Sequence, residues 1–126
     1  MLRNYRKLEI YRLGYLLTMK LYEATKFFPE HEQGNLTSQI RRASTSIPLN
    51  IAEGSSRFTK KAYLQFLQYA YGSIRELQVL IDLSKDLKYI DLEKYNELNE
   101  DIDKLSRKLF VFVKKVEKDK FYNFFS

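Results

Sequence analysis

The sequence predicts an all-α protein, an up-down-up-down four-helix bundle in which residues 1–126 form a single domain. Three observations predict this fold class. Apolar residues recur every three or four positions through four long segments, which is the spacing of one helix face. The connections between these segments are short, which favours antiparallel neighbours in a bundle. The chain contains only four glycines and two prolines, a composition that excludes a disordered or turn-rich chain.

The first helix is predicted to run from about Tyr5 to Phe27, and Pro29 ends it. Its principal apolar face repeats at helical spacing. We expect this face to point into the bundle, with the residues Leu8, Tyr11, Tyr15, Met19 and Tyr22.

The third and fourth helices have the most regular patterns. The third follows Thr59, a good N-cap residue, and continues to about Asp86, whereas the fourth follows Asp91. The apolar residues of the fourth helix alternate steps of three and four, which is typical of knobs-into-holes packing. The expected core residues are Tyr63, Leu67, Ala70, Ile74, Leu77 and Ile81 in the third helix and Tyr95, Leu98, Ile102, Leu105, Leu109, Phe112 and Val116 in the fourth.

The second helix, within residues 36–57, breaks a helical rule. Its apolar positions keep the helical spacing and are Leu36, Ile40, Ala43, Ile47 and Ile51. Pro48 lies inside this pattern, where it lacks an N–H and its ring pushes on the carbonyl of Ser44, at a cost of roughly 3 kcal/mol. Gly54 follows the last patterned residue, where a left-handed residue commonly ends a helix. Asn35 or Thr37 is the expected N-cap.

A polar stripe runs beside the apolar face of the second helix. Its members recur at the same spacing and are Gln39, Arg42, Ser46, Asn50 and Glu53. We favour a buried network in which Asn50 and Glu53 satisfy backbone groups freed near the proline, because an unsatisfied buried group costs about 1–3 kcal/mol. The candidate partners of Arg42 are Glu32, Glu53 and Glu76, with Glu76 of the third helix preferred. Two other interpretations stay open, a solvated helix face and a binding site for RNA or a protein partner.

These residues also carry a family resemblance. The matching elements are Phe28-Pro29, Glu32, Leu36-Thr37, Gln39, Arg41-Arg42-Ala43, Ser46-Ile47-Pro48, Asn50-Ile51-Ala52-Glu53-Gly54, Gly72-Ser73 and Glu76-Leu77. In them the chain resembles the 23S rRNA intervening-sequence protein family, also called four helix bundle protein. More distantly it is similar to the accessory variability protein of diversity-generating retroelements, a basic ring that works with a reverse transcriptase and RNA. The resemblance implies an up-and-down bundle that assembles into a homopentameric ring.

Large apolar residues also lie on a second face of two helices. They are Ile10, Leu13, Leu17 and Leu21 in the first helix and Tyr69, Val79 and Leu80 in the third. A second apolar face on a bundle helix indicates a second buried surface, which we interpret as the interface of a homo-oligomer, and the family resemblance implies that this is a pentamer. The alternative is that these residues cover loop ends. The aromatic residues Phe121, Tyr122, Phe124 and Phe125 are expected to occupy a groove on a neighbouring subunit.

Basic residues are placed against the helix dipole at two helix starts. They are Arg3, Arg6 and Lys7 in the first helix and Arg57, Lys60 and Lys61 in the third. Positive charge at a helix N-terminus costs roughly 0.3–1 kcal/mol, and in this bundle both starts lie at the same end. With a formal net charge of +6, that end predicts contact with a polyanion, the alternative being an ordinary soluble surface. The lysines at the end of the fourth helix follow the dipole, so stability alone explains them.

Two aromatic residues accompany these charges. Tyr5 and Phe58 are placed either to stack on unpaired bases or to pack at the end of the bundle. The sequence therefore predicts a non-enzymatic homo-oligomer that binds nucleic acid, above all RNA, mainly through phosphates. The alternative is a protein–protein scaffold or an accessory subunit for a partner enzyme such as a reverse transcriptase, with incidental basic charge.

Other function classes find no support in the sequence. His31 is the only histidine, and the chain has no P-loop, dinucleotide-binding motif or nucleophile elbow. We therefore expect no catalytic site, no metal site and no cofactor. The chain has no cysteine and no apolar run of the ~20 residues that a membrane span needs, so a cytoplasmic protein with no membrane contact is expected.

Overall fold

The computed structural model describes residues 3–120, and the aromatic residues Phe121, Tyr122, Phe124 and Phe125 lie outside this part of the chain. Four long helices follow one another, with bounds α1 Glu9–Thr25, α2 Leu36–Ser55, α3 Lys60–Asp86 and α4 Leu92–Lys118. Each helix packs on the next, and α4 closes on α1. The predicted all-α four-helix bundle is therefore confirmed.

The core is built from the predicted faces of three helices. The apolar residues expected in α2, α3 and α4 are buried, apart from Tyr95, which packs against the core from a partly buried position. The predicted N-caps of α3 and α4 are confirmed, since Thr59 Oγ1 accepts from Ala62 N at 3.1 Å and Asp91 Oδ1 accepts from Lys94 N at 2.7 Å.

The predicted inner face of α1 is right at its start, where Leu8 is buried and Tyr11 packs against the core, and wrong beyond it, where Tyr22 is among the exposed residues. The structure buries Ile10, Leu17 and Leu21, whereas Tyr15 and Met19 are 52% and 57% exposed. Two neighbouring stripes of α1 both carry apolar residues at helical spacing. Beyond the start of the helix, the stripe with the larger side chains faces solvent. Four members of the proposed second face belong to the core of the single bundle and not to a surface between subunits. These four buried residues are Ile10, Leu17, Leu21 and Leu80. Leu13 packs against the core, and only Tyr69 and Val79 of that set are about half exposed.

Two other local predictions need correction. The chain does not enter α1 as a continuous helix from Tyr5, because Leu8 is extended between a short 3-10 turn and α1. Gly54 lies inside α2 without a positive φ. A Cβ built on Gly54 would stand 2.9 Å from Phe66 Cβ, so this glycine lets α2 and α3 approach closely.

Neither candidate N-cap of α2 caps the helix through its side chain. Asn35 makes no side-chain cap hydrogen bond, and Thr37 lies within the helix. The first N–H is met by Glu32 Oε1, which accepts from Leu36 N at 3.4 Å. The carboxylate that precedes the helix therefore replaces the expected cap.

The proline in α2 is accommodated by α1. Pro48 has no N–H to donate to the Ser44 carbonyl, and the Thr18 hydroxyl reaches that carbonyl at 2.9 Å. The same hydroxyl lies 2.8 Å from the carbonyl of Gly14. A Cβ on Gly14 would meet Ile47 Cγ2 at 3.2 Å, so the glycine allows α1 to lie against the proline.

We expect Thr18→Val to lower the free energy of unfolding by about 1–3 kcal/mol, because it leaves the buried Ser44 carbonyl without a donor. Urea unfolding at one fixed protein concentration measures this loss. The control Thr18→Ser keeps the hydroxyl. In a Pro48→Ala background, the backbone N–H at position 48 serves Ser44, so Thr18→Val should cost less there. An equal cost in both backgrounds would contradict this account.

Within residues 3–120, no helix combines the length and the apolar character that crossing a membrane requires.

Candidate nucleic-acid interface

One end of the bundle gathers the six predicted basic residues. The starts of α1 and α3 meet the ends of α2 and α4 here. Arg3 Nη2 donates to the carbonyl of Arg57 at 2.6 Å, and Lys60 Nζ donates to the carbonyl of Glu117 at 2.8 Å. We call residues 3–9, 53–61 and 114–120 the basic end.

The basic end carries far more positive than negative charge. It contains ten lysines and arginines and four acidic residues. The bases are Arg3, Arg6, Lys7, Arg57, Lys60, Lys61, Lys114, Lys115, Lys118 and Lys120. Lys115 of α4 lines one cavity with Lys7. The lysines of α4 therefore add to the predicted patch, although their placement also suits the helix dipole.

The six predicted residues differ in how freely they could meet a ligand. The side chains of Lys7 and Lys61 are exposed and make no hydrogen bond or ion pair within residues 3–120. Arg6 lies over the Tyr5 ring at 5.0 Å. Arg57 is held against the protein, with its guanidinium 4.5 Å from the centre of the Phe66 ring. The two exposed lysines are therefore the most available cations of the set.

The two aromatic residues of this end have different environments. Tyr5 packs edge-on against Tyr11 with ring centres 4.9 Å apart, so the packing interpretation holds for Tyr5. Phe58 is 75% exposed in the turn between α2 and α3. Only Phe58 therefore presents an open aromatic surface beside the cations.

The opposite end of the bundle has the reverse charge. Residues 23–32 and 82–101 contain ten acidic residues and four lysines, and we call them the acidic end. Lys20 of α1 bridges to Asp101 at 2.7 Å and to Glu97 at 3.0 Å. These hydrogen bonds, the one to Asp101 first, raise the pKa of Lys20, and the bond from Lys20 lowers the pKa of Glu97. The bundle is thus electrically polarised along its axis.

The polar stripe of α2 does not form one buried network. Ser46 Oγ lies 2.8 Å from Ser73 Oγ of α3, and Asn50 Nδ2 donates to Ser46 Oγ at 2.8 Å. Gln39 donates to Asn35 at 2.8 Å. Ser46 therefore joins α2 to α3, and Asn50 supports that contact from within α2, so the structural interpretation holds for this pair alone.

The predicted burial of the charged stripe residues Arg42 and Glu53 is wrong, and so is the predicted pairing of Arg42 with Glu76 of α3. Arg42, Glu53 and Glu76 are exposed, and among the described residues no ion pair joins Arg42 to an acid. Glu53 instead pairs with Arg57 at 3.1 Å. The Ser44 carbonyl freed by the proline is satisfied by Thr18, whereas Asn50 Nδ2 donates to the nearby Ser46 carbonyl at 2.8 Å. No sequence signal could have identified Thr18, because its partner lies 26 positions away.

Arg42 lies in an open groove between α1 and α2. The residues that line this groove are Tyr22, Gln33, Thr37, Ser38, Arg41, Arg42, Thr45, Ser46 and Leu49. Arg41 is fixed there, because its Nε donates to Thr25 Oγ1 at 2.9 Å. Tyr22 and Leu49 are 41% and 56% exposed, so the groove combines apolar surface with an unpaired arginine.

Glu32 belongs to a separate buried cluster near the acidic end. Its Oε2 accepts from the Tyr89 hydroxyl at 2.7 Å, and sequence reasoning missed Tyr89. The hydrogen bond from Tyr89 lowers the pKa of Glu32 and raises the pKa of Tyr89. Glu32 therefore ties the start of α2 to the segment after α3.

We expect this contact to make stability depend on acid pH. A lowered pKa means that Glu32 contributes stability above its ordinary value of 4.5 and loses it as pH falls through the folded pKa. Tyr89→Phe should therefore lower the melting temperature at neutral pH, and the difference from wild type should shrink in acid. Melting at a series of pH values measures this effect.

The control for this experiment is Tyr71→Phe, which removes a hydroxyl that makes no hydrogen bond within the described residues. It should leave the acid branch of the stability curve unchanged. A gap between Tyr89→Phe and wild type that stays constant below pH 4.5 would contradict the assignment.

No group of three or more His, Asp or Glu side chains within residues 3–120 is arranged to hold a metal ion. His31 is exposed, and its Nε2 lies 3.8 Å from Glu32 Oε2 and 3.4 Å from the Tyr89 hydroxyl.

Comparison with known proteins supports the fold and the family. Residues 6–111 match the family model described as 23S rRNA-intervening sequence protein. No curated protein sequence matches the chain. The chain is similar to the crystal structure of a protein of unknown function from the S23 ribosomal protein family of Bacteroides thetaiotaomicron VPI-5482, with a TM-score of 0.77 and 22% identity. The match covers 83% of this chain and 95% of that one, and at this identity it shows the fold alone.

Proposed function

Because the chain belongs to the 23S rRNA-intervening sequence protein family, we propose that it is a non-enzymatic bundle that forms a homopentameric ring and binds nucleic acid, above all RNA. The observation that carries the proposal is the basic end, which contains ten lysines and arginines and four acidic residues. Folding into an antiparallel bundle brings these charges together, and a polyanion would offset their mutual repulsion. The absence of cysteine from the sequence is compatible with a cytoplasmic location.

The expected contact is with phosphates rather than with base edges. Lysines such as Lys7 and Lys61 are flexible point charges that suit a phosphate backbone. The basic end has no groove-reading helix or ribbon of the kind that specifies sequence in DNA-binding motifs. Binding should therefore depend strongly on salt and weakly on sequence.

The interface of the ring is assigned to the exposed face of α1 and its groove with α2. Tyr15, Met19 and Tyr22 share this face at helical spacing, and Leu49 of α2 lines the groove with Tyr22. Exposed apolar residues concentrated on one side of a bundle favour burial against another copy. In a cyclic ring the basic ends recur around one rim, so that weak contacts add through multivalency.

We expect light scattering to measure a solution mass of five chains. Met19→Glu places a charge in the assigned interface and should shift the protein to smaller species. The control Leu92→Glu changes an exposed leucine at the start of α4, where an acid suits the helix dipole, and should leave the mass unchanged. A wild-type monomer at micromolar concentration would contradict the ring.

We expect Lys7→Gln combined with Lys61→Gln to weaken RNA binding and to make it less dependent on salt. Each lost phosphate contact reduces the slope of log K against log salt by about 0.7 for single strands. Fluorescence anisotropy with labelled RNA over a salt series measures both quantities. Melting should be unchanged, because neither lysine side chain has a hydrogen bond or ion pair within residues 3–120.

The matched control carries the same charge change at the acidic end, Lys26→Gln with Lys88→Gln. It should bind like wild type. If wild type binds neither RNA nor single-stranded DNA at low salt, the phosphate proposal is wrong. The alternative function would then apply, which is a protein–protein scaffold or an accessory subunit of a partner enzyme such as a reverse transcriptase. Exposed aromatic residues away from the assigned ring interface, such as Tyr69 of α3 and Phe110 of α4, favour that second candidate, because aromatic residues are enriched at protein interfaces.

A further inference from the structure

Phe58 is an apolar side chain that the fold leaves in water among cations. Its 75% exposure is exceeded among the described large hydrophobic residues only by Phe27, at 81%. Its neighbours in sequence are Arg57 on one side and Thr59, Lys60 and Lys61 on the other. A phenylalanine at this position contributes little to the core, so its packing does not explain it.

The turn that carries Phe58 is held on both sides. Arg57 N donates to the Gly54 carbonyl at 3.0 Å, and the Thr59 side chain accepts from Ala62 N at 3.1 Å. The Arg57 carbonyl in turn accepts from Arg3. A ring presented from such a turn loses little conformational freedom when a ligand covers it.

Charge surrounds the ring at short range. The Arg3 guanidinium carbon lies 5.9 Å from the centre of the Phe58 ring, and Lys61 is exposed three positions further along the chain. An aromatic face beside backbone-binding cations is the arrangement by which proteins hold single-stranded nucleic acid, since a base stacks on the ring while its phosphates meet the cations.

We propose that the basic end prefers single-stranded to double-stranded nucleic acid and that one unpaired base stacks on Phe58. This inference rests on the proposed phosphate binding and adds a class of substrate to it. Bases inside a duplex are already stacked on one another and cannot cover the ring. Tyr5 is not an equivalent platform, because its ring packs edge-on against Tyr11 and is only partly exposed.

Affinity gives the first test, with a short uridine oligonucleotide and an RNA duplex of the same length as probes. Phe58→Ala should weaken binding of the single strand about tenfold and leave duplex binding unchanged. The matched control is Phe27→Ala, which removes an equally exposed ring at the acidic end. Melting curves for both variants check that the fold is retained.

Fluorescence gives a second test that does not depend on affinity. The chain contains no tryptophan, so Phe58→Trp introduces a single indole at the site. Stacking of a base should quench its emission when the uridine oligonucleotide is added, and the duplex should not. Phe27→Trp, the control at the acidic end, should show no quenching with either probe.

The outcomes separate this inference from the proposed function. Unchanged single-strand affinity in Phe58→Ala, or no quenching of Phe58→Trp, overturns the stacking inference even where Lys7→Gln and Lys61→Gln still weaken binding. Equal loss of single-strand and duplex affinity in Phe58→Ala also overturns it. No binding of either probe at low salt overturns both proposals together.

Discussion

The contact of α1 with the proline of α2 decides how the rest of the bundle is arranged. Pro48 leaves the Ser44 carbonyl without its helical donor, and the Thr18 hydroxyl supplies one at 2.9 Å. Because a hydroxyl must lie close to its acceptor, this bond sets the position of α1 along α2 and its rotation. That rotation turns Ile10 and Leu17 into the core and leaves Met19 outside. In the same arrangement Tyr15 stays exposed beside Met19, and Arg3 reaches the Arg57 carbonyl in the turn after α2.

The sequence predicted those elements whose signals are local or large. The caps at Thr59 and Asp91 depend on residues three positions apart, and the core faces of α3 and α4 are broad and regular. The core face of α1 was predicted wrongly because its contact with α2 is made by a glycine and a threonine, which give no apolar signal. A periodic pattern detects large apolar side chains, whereas two helices approach each other most closely at small residues.

For the candidate site, the sequence predicted where the charged residues gather but not the contacts that each one makes. Once the topology is known, connectivity alone places the starts of α1 and α3 at one end, so the basic cluster followed from the sequence. What each cation does there depends on tertiary contacts that no spacing encodes, such as the placement of Arg57 over Phe66. The polar stripe separated for the same reason. Helical spacing puts residues on one face, but burial along that face depends on the neighbouring helices, and Asn50 is partly buried where Arg42 is exposed.

The polarised charge makes the local excess, rather than the net charge, the quantity that governs binding. The longest helices contain 27 residues, which at 1.5 Å per residue span about 40 Å. Electrostatic screening at physiological salt acts over about 8 Å, so the acidic end cannot cancel the field at the basic end. A phosphate chain near the basic end would therefore meet ten positive and four negative side chains, whatever the charge of the rest of the protein. Under the proposed function the acidic end would repel the same chain, so the bundle would approach a polyanion with its basic end first.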